Sequence, residues 1–205
     1  MQAPRKERTQ REILPAGTYL ARLYSIIELG TSSYTWQGKE IASHKVQLTW
    51  ELPTEMKVFD EAKGEQPRVI GDSYGFSMAP KANLRNVVVH GMLGTSLTDT
   101  EADGFDIDSL LGNPCLLSIG HQPDKNDPEI KYERILSVSP LMKGQTCPDQ
   151  INPSVTLYFN DWKPEVFEKV PKWLQDKITA SPEYQSMSGS KHVTTDEISA
   201  DSIPF

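Results

Sequence analysis

Between Ile41 and Leu52 apolar and polar residues alternate, with Val46, Leu48, Trp50 and Leu52 on one face and Lys45, Gln47, Thr49 and Glu51 on the other. A period of two marks a strand with one covered face, because successive side chains of an extended chain point to opposite sides. Such a strand needs partners, and the flanking sequence supplies them. Thr18 to Leu29 is rich in aliphatic, tyrosine and threonine residues between Gly17 and Gly30, which predicts a preceding strand. Arg68 to Met78 places Ile70, Tyr74, Phe76 and Met78 at even spacing, which predicts a following one. The charged stretch from Pro53 to Pro67 between them reads as a long loop.

After Met78 the period changes. Pro80 stands where a first helical turn tolerates it, and Leu84, Val87, Val88 and Gly91 follow helical spacing, although the β-branched run Val87 to Val89 weakens a helix. A short turn at Ile107 to Leu111 ends at Gly112-Asn113-Pro114. Strands are predicted at Cys115 to His121 and Ile130 to Pro140, with a turn-rich loop from Gln122 to Glu129. Ser154 to Phe159 reads as a further strand. Pro164 opens a helical stretch with Val166, Phe167 and Val170, and Pro171 opens a second with Trp173, Leu174 and Ile178, whose apolar residues are expected to dock on the body.

The chain therefore divides into a flexible basic arm (1–12), a mainly β domain (13–142), a C-terminal extension packed on it (143–180) and an acidic tail (181–205). The tail has too little to bury to offset the entropy of ordering, and reads as disordered. With 21 Lys and Arg against 28 Asp and Glu, the net charge of −7 excludes a generally basic coat but leaves room for a local basic groove. No apolar run approaches the length of a membrane span, and no apolar stretch directly follows Arg5, Lys6, Arg8 and Arg11, so a cytosolic location is expected. Cys115 and Cys147 lack metal-ligand spacing and the four histidines are scattered, so no metal or cofactor is expected. Asp99, Glu101, Asp103, Asp106 and Asp108 are the one carboxylate cluster a nuclease would need, but they read as a solvated loop and a helix start.

The order β-β-β-α-β-β is that of the OB-fold, a five-stranded Greek-key barrel with a helix between strands 3 and 4, here followed by a helical extension. The chain end, Asp196 and Glu197 and then Asp201-Ser202-Ile203-Pro204-Phe205, resembles the acidic Ile-Pro-Phe tail of bacterial single-stranded DNA-binding proteins, with Ser202 where a carboxylate is expected. A terminal ring beside its own carboxylate suits an apolar pocket rimmed by Arg or Lys. Pro15-Ala16-Gly17-Thr18-Tyr19, the strand ending in Trp50-Glu51-Leu52-Pro53, and the segment from Trp173-Leu174-Gln175 to Ser181-Pro182-Glu183-Tyr184 are similar to phage-encoded single-stranded DNA-binding proteins. That resemblance implies a non-catalytic protein of phage replication or recombination, acting in the cytoplasm of the infected bacterial host. It also implies recruitment of replication or repair proteins through Asp196, Glu197, Asp201, Ile203, Pro204 and Phe205.

Sequence-tolerant single-strand binders need aromatic faces for bases and cations for phosphates. Three groups supply them: Tyr34, Trp36, Lys39 and Lys45 with Arg22 and Tyr24; Arg68, Tyr74, Lys81 and Arg85; and Lys131, Tyr132 and Arg134. Tyr34 and Trp36, in a polar segment, are the favoured platforms, whereas Trp50, Tyr74 and Phe76 read first as core. The rival readings are an RNA- or sugar-binding module on the same barrel, and a phage structural or host-interaction protein that binds no DNA.

Overall fold

The computed structural model describes residues 12–125 and 127–189. It is mainly β, with 44% strand and 22% helix. β1 (Gly17–Trp36), β2 (Lys39–Asp60), β3 (Gly64–Gly75), β4 (Pro114–Pro123) and β5 (Lys131–Ser139) form an antiparallel sheet in the order β3-β2-β1-β4-β5. β6 (Val155–Leu157) adds in parallel to Ser25–Ile27 of β1. β1 is the hinge of the sheet: Gly17 to Arg22 pair with β4, and Arg22 to Trp36 pair with β2. The sheet curls into a half-barrel, and its outer strands approach each other where Arg68 of β3 comes within 3.7 Å of Glu133 of β5.

The alternation along β2 has its counterpart in the core. Val46, Leu48, Trp50 and Leu52 are all fully buried inside the curl, with Leu23 and Ile26 of β1 and Leu117 and Ile119 of β4. A helical segment between β3 and β4 closes one end. It begins as a π turn at Leu84–Val89, so the β-branched run lies in a widened turn, and continues as α1 (His90–Leu93), capped by left-handed Gly94. Gly91 lets this segment lie against the backbone of Val138 on β5, where any Cβ would collide. α2 (Asp99–Ala102) and a 3₁₀ turn at Ile107–Leu110 lead into β4.

The stretch predicted as a loop between Pro53 and Pro67 is instead a hairpin, with β2 running to Asp60 and β3 starting at Gly64. Both prolines fit because of where they fall. Pro53 sits in the register shift between Leu52 and Met56, and Pro67 lies on β3, at the edge of the sheet's strand order. β1 likewise continues past the predicted Leu29 to Trp36, so Tyr34 and Trp36 belong to a second projecting hairpin rather than to a loop.

The supposedly solvated face of β2 is covered as well. Gln47 and Glu51 are 3% and 0% exposed; Gln47 accepts from the Ser73 hydroxyl of β3, and the segment before β6 binds Glu51. Glu51 accepts hydrogen bonds from the amides of Ile151 and Asn152 and from Asn152 Nδ2, each at 2.7 Å. Beyond β6, α3 (Pro164–Phe167) and α4 (Lys172–Thr179) build a second core in which Leu157, Val170, Leu174 and Ile178 pack on Ile27 and Leu29 of β1.

Order continues past Ser181, where the composition predicts none: α5 (Pro182–Gly189) is helical. Tyr184 packs against Trp162 and Phe167, and Glu183 binds the Thr31 amide at 2.9 Å and the Thr31 hydroxyl. Gly30 at φ 76° makes room, since a Cβ there would lie 2.5 Å from Ser181. The remainder of the predicted tail and the arm 1–11 lie outside the described residues. No described helix is long and apolar enough to cross a membrane.

Candidate nucleic-acid interface

The β1–β2 hairpin and the β4–β5 hairpin each present an aromatic ring with a cation. Tyr34 and Lys45 occupy different strands of the first hairpin, in which Tyr34 pairs with Ile41 and Gly30 with Lys45. Tyr34 is 47% exposed, and the Lys45 ammonium lies 5.8 Å from its ring centroid. Lys39 is exposed near the tip, where it pairs with Trp36; the Trp36 side chain lies outside the described part.

On β5, Tyr132 and Arg134 share a face at two-residue spacing, and both are exposed. Gln122 Oε1 of β4 accepts a hydrogen bond from Arg134 Nη1 at 2.7 Å, which holds the guanidinium beside the ring without neutralising it. The two side chains line a cleft of about 430 Å³ between β5 and β3, together with Lys125, Gly71 and Asp72. Lys125, which the sequence reading passed over, adds a cation, and Asp124 adds a carboxylate beside that of Asp72. Gly71 is required by β2 rather than by the cleft, since a Cβ there would lie 2.6 Å from Gln47 Nε2 and 2.9 Å from Leu48 O. Lys131 is exposed on the neighbouring position of β5.

The second predicted group is not brought together. Arg85 is 5% exposed and donates to Met78 O at 3.3 Å, Leu97 O at 2.6 Å and Asp99 Oδ1 at 2.7 Å, so its Nη atoms clamp the loop around α2. Tyr74 is 8% exposed and part of the core, and burial pushes its hydroxyl well above the ordinary tyrosine range. Arg68 pairs with Glu12 at 3.2 Å and approaches Glu133. Lys81 is exposed, away from these partners. A basic side chain on a helical turn looks alike in sequence whether it faces solvent or carbonyls, and the carbonyls of Met78 and Leu97 draw Arg85 inward.

Arg22 is corrected in the same way. It donates to Pro148 O at 2.6 Å, Gly112 O at 2.7 Å and Cys147 O at 3.0 Å, tethering the C-terminal segment to β1. Tyr24 is half-buried, and burial, then the nearby Glu51 carboxylate, raise its hydroxyl.

The carboxylate cluster is occupied with local structure. Thr98 and Glu101 form a capping box at α2, Asp99 holds Arg85, Asp106 accepts from the Asp108 amide, and Asp108 accepts from Tyr158. Among the described residues no group of three or more potential ligands is arranged to hold a metal ion. Both cysteines are free, and burial pushes the Cys115 thiol up to about 12, which leaves it un-ionised at neutral pH.

Trp173 also departs from expectation. Predicted to dock on the body with Leu174 and Ile178, it is 53% exposed, while those two are 3% and 0% exposed. The spacing held the signal: Leu174 and Ile178 share one helix face at i, i+4, and Trp173 and Lys177 share the adjacent one. Comparison with protein-family models, with curated proteins and with solved structures yields no match to this chain.

Proposed function

We propose that this chain is a non-catalytic, largely sequence-independent single-stranded DNA-binding protein built on an OB-like barrel. The observation that carries the reading is an exposed aromatic ring with a cation on each of two hairpins flanking β3: Tyr34 with the Lys45 ammonium over its ring, and Tyr132 with Arg134 on one face of β5, lining the same cleft. Bases have π-faces of every sequence and phosphates have charge, so such pairs recognise a single strand without reading it. A duplex hides its base faces. The strand order, with the helical segment between β3 and β4 and with β3 approaching β5, is compatible with an OB-like barrel. The cleft between β3 and β5 is then the place where the barrel stays open.

The resemblance of the chain end to Ile-Pro-Phe tails supports a role in phage replication or recombination in the host cytoplasm, with Phe205 and the preceding acids recruiting replication or repair proteins. The test is binding of fluorescent oligo-dT by full-length protein and single variants. Tyr132→Ala and Tyr34→Ala are each expected to weaken binding by about 1 to 3 kcal/mol. Lys81→Ala, which belongs neither to the lining of the cleft nor to the pair of Tyr34 and Lys45, is expected to change it little. Parent-like binding by both tyrosine variants would overturn this assignment of the platforms.

A further inference from the structure

A second groove lies on the other side of β3, between the sheet and the C-terminal extension. It measures about 450 Å³ and is lined by Gly30 to Ser33 of β1, Lys45 of β2, Ser73 of β3 and Lys177 of α4. Lys45 enters from the sheet and Lys177 from the helix. Neither is paired with a carboxylate among the described residues. Ser32 and Ser33 are exposed on the sheet side. The Glu183 carboxylate, near Gly30 of the groove, is held by the Thr31 hydroxyl and amide and by His44.

Each lysine also stands over an exposed ring. Lys45 Nζ is 5.8 Å from the centroid of Tyr34, and Lys177 Nζ is 4.8 Å from that of Trp173. The two lysines that line the groove thus each carry, outside its lining, an exposed ring: Tyr34 on the sheet side and Trp173 on the helix side. The groove also adjoins the cleft between β3 and β5: Asp72 lines the cleft and Ser73 the groove, and consecutive residues of a strand face opposite sides.

We propose that this groove is a second track for the bound DNA strand, with a base stacked on Trp173 and backbone phosphates against Lys177 and Lys45. The assignment rests on the single-strand reading and extends it to the C-terminal extension. Trp173 then has a reason to stay exposed on a helix whose neighbouring face is fully buried. A strand leaving the cleft passes the edge strand β3 and continues along the groove, so the contact is made only by oligonucleotides long enough to reach it.

The test is a length series of fluorescent oligo-dT with full-length parent, Trp173→Ala, Trp173→Phe, Lys177→Gln and, as a probe of the cleft, Tyr132→Ala. On long oligonucleotides Trp173→Ala is expected to lose about five- to hundredfold in affinity, with Trp173→Phe recovering most of it. Lys177→Gln is expected to make the log-log salt slope shallower by about 0.7. The Trp173→Ala loss is expected to vanish on the shortest oligonucleotides that the parent binds. Parent-like affinity of Trp173→Ala at every length, with Tyr132→Ala still weakened, would overturn the second track and leave the cleft standing. An unchanged salt slope in Lys177→Gln would overturn it too, even if a Trp173 variant failed to fold. A parent that binds no single strand would remove both readings.

Discussion

Glu51 is the residue on which the covered outer face of β2 depends. A fully buried carboxylate is costly unless its oxygens are satisfied, and here three N–H donors of the segment before β6 converge on it. Removing it leaves two backbone amides and one side-chain amide without an acceptor. Glu51→Ala is therefore expected to lower stability by about 3 kcal/mol, read from the urea midpoint, with Glu51→Gln losing less because one acceptor remains. Loss in Ala no greater than in an exposed control such as Glu61→Ala would contradict this role. At this scale the sequence was least legible. Glu51 occupies a position that alternation assigns to solvent, and Arg22 and Arg85 look like ligands for phosphate. Glu51 and Arg22 are drawn in by backbone groups far away in the chain, the amides of Ile151 and Asn152 and the carbonyls of Cys147 and Pro148, and Arg85 by the nearer Met78 and Leu97 carbonyls and Asp99.

At the scale of elements the periodic segments were legible and the punctuated ones were not. The strand from Val46 to Leu52 and the helical segment after Pro80 follow their spacing, because burial of one face imposes it. Pro53 and Pro67 pointed to a loop, yet both are accommodated at a register shift and an edge strand. α5 was missed because its own sequence has little to bury; it is held by Tyr184 in the Trp162 and Phe167 cluster and by Glu183 on Thr31. Burial raises the Glu183 carboxyl, but hydrogen bonds from the Thr31 hydroxyl and amide, its own amide and His44 outweigh this and bring it down from 4.5 to about 2. A group depressed in the folded state stabilises above its unfolded value and loses that contribution as pH falls through the folded one. Parent protein is thus expected to exceed Glu183→Gln in stability at pH 7, with the gap narrowing below about 4.5 and closing near 2. Denaturation midpoints across that range check it; a gap independent of pH would contradict the latch.

On the scale of the whole molecule, an acidic chain with a net charge of −7 must gather its cations locally to hold a polyanion. In the proposed function those cations are Lys45 over Tyr34 within one hairpin, Lys177 over Trp173 within α4, and Arg134 with Tyr132 at the cleft between β3 and β5. Tyr34 and Tyr132 stood among the candidates read from the sequence and both are exposed, whereas Trp173 was hidden by its apolar neighbours. Binding through phosphates releases counterions, and binding through base faces requires that the bases be unpaired. The most direct measurement is fluorescence anisotropy of labelled oligo-dT and of a duplex of equal length, titrated with full-length protein over a range of salt. The account predicts tighter binding of the single strand, with log affinity falling linearly in log salt by about 0.7 per phosphate neutralised. Absence of binding to oligo-dT at low salt, or equal affinity for the duplex, would contradict it.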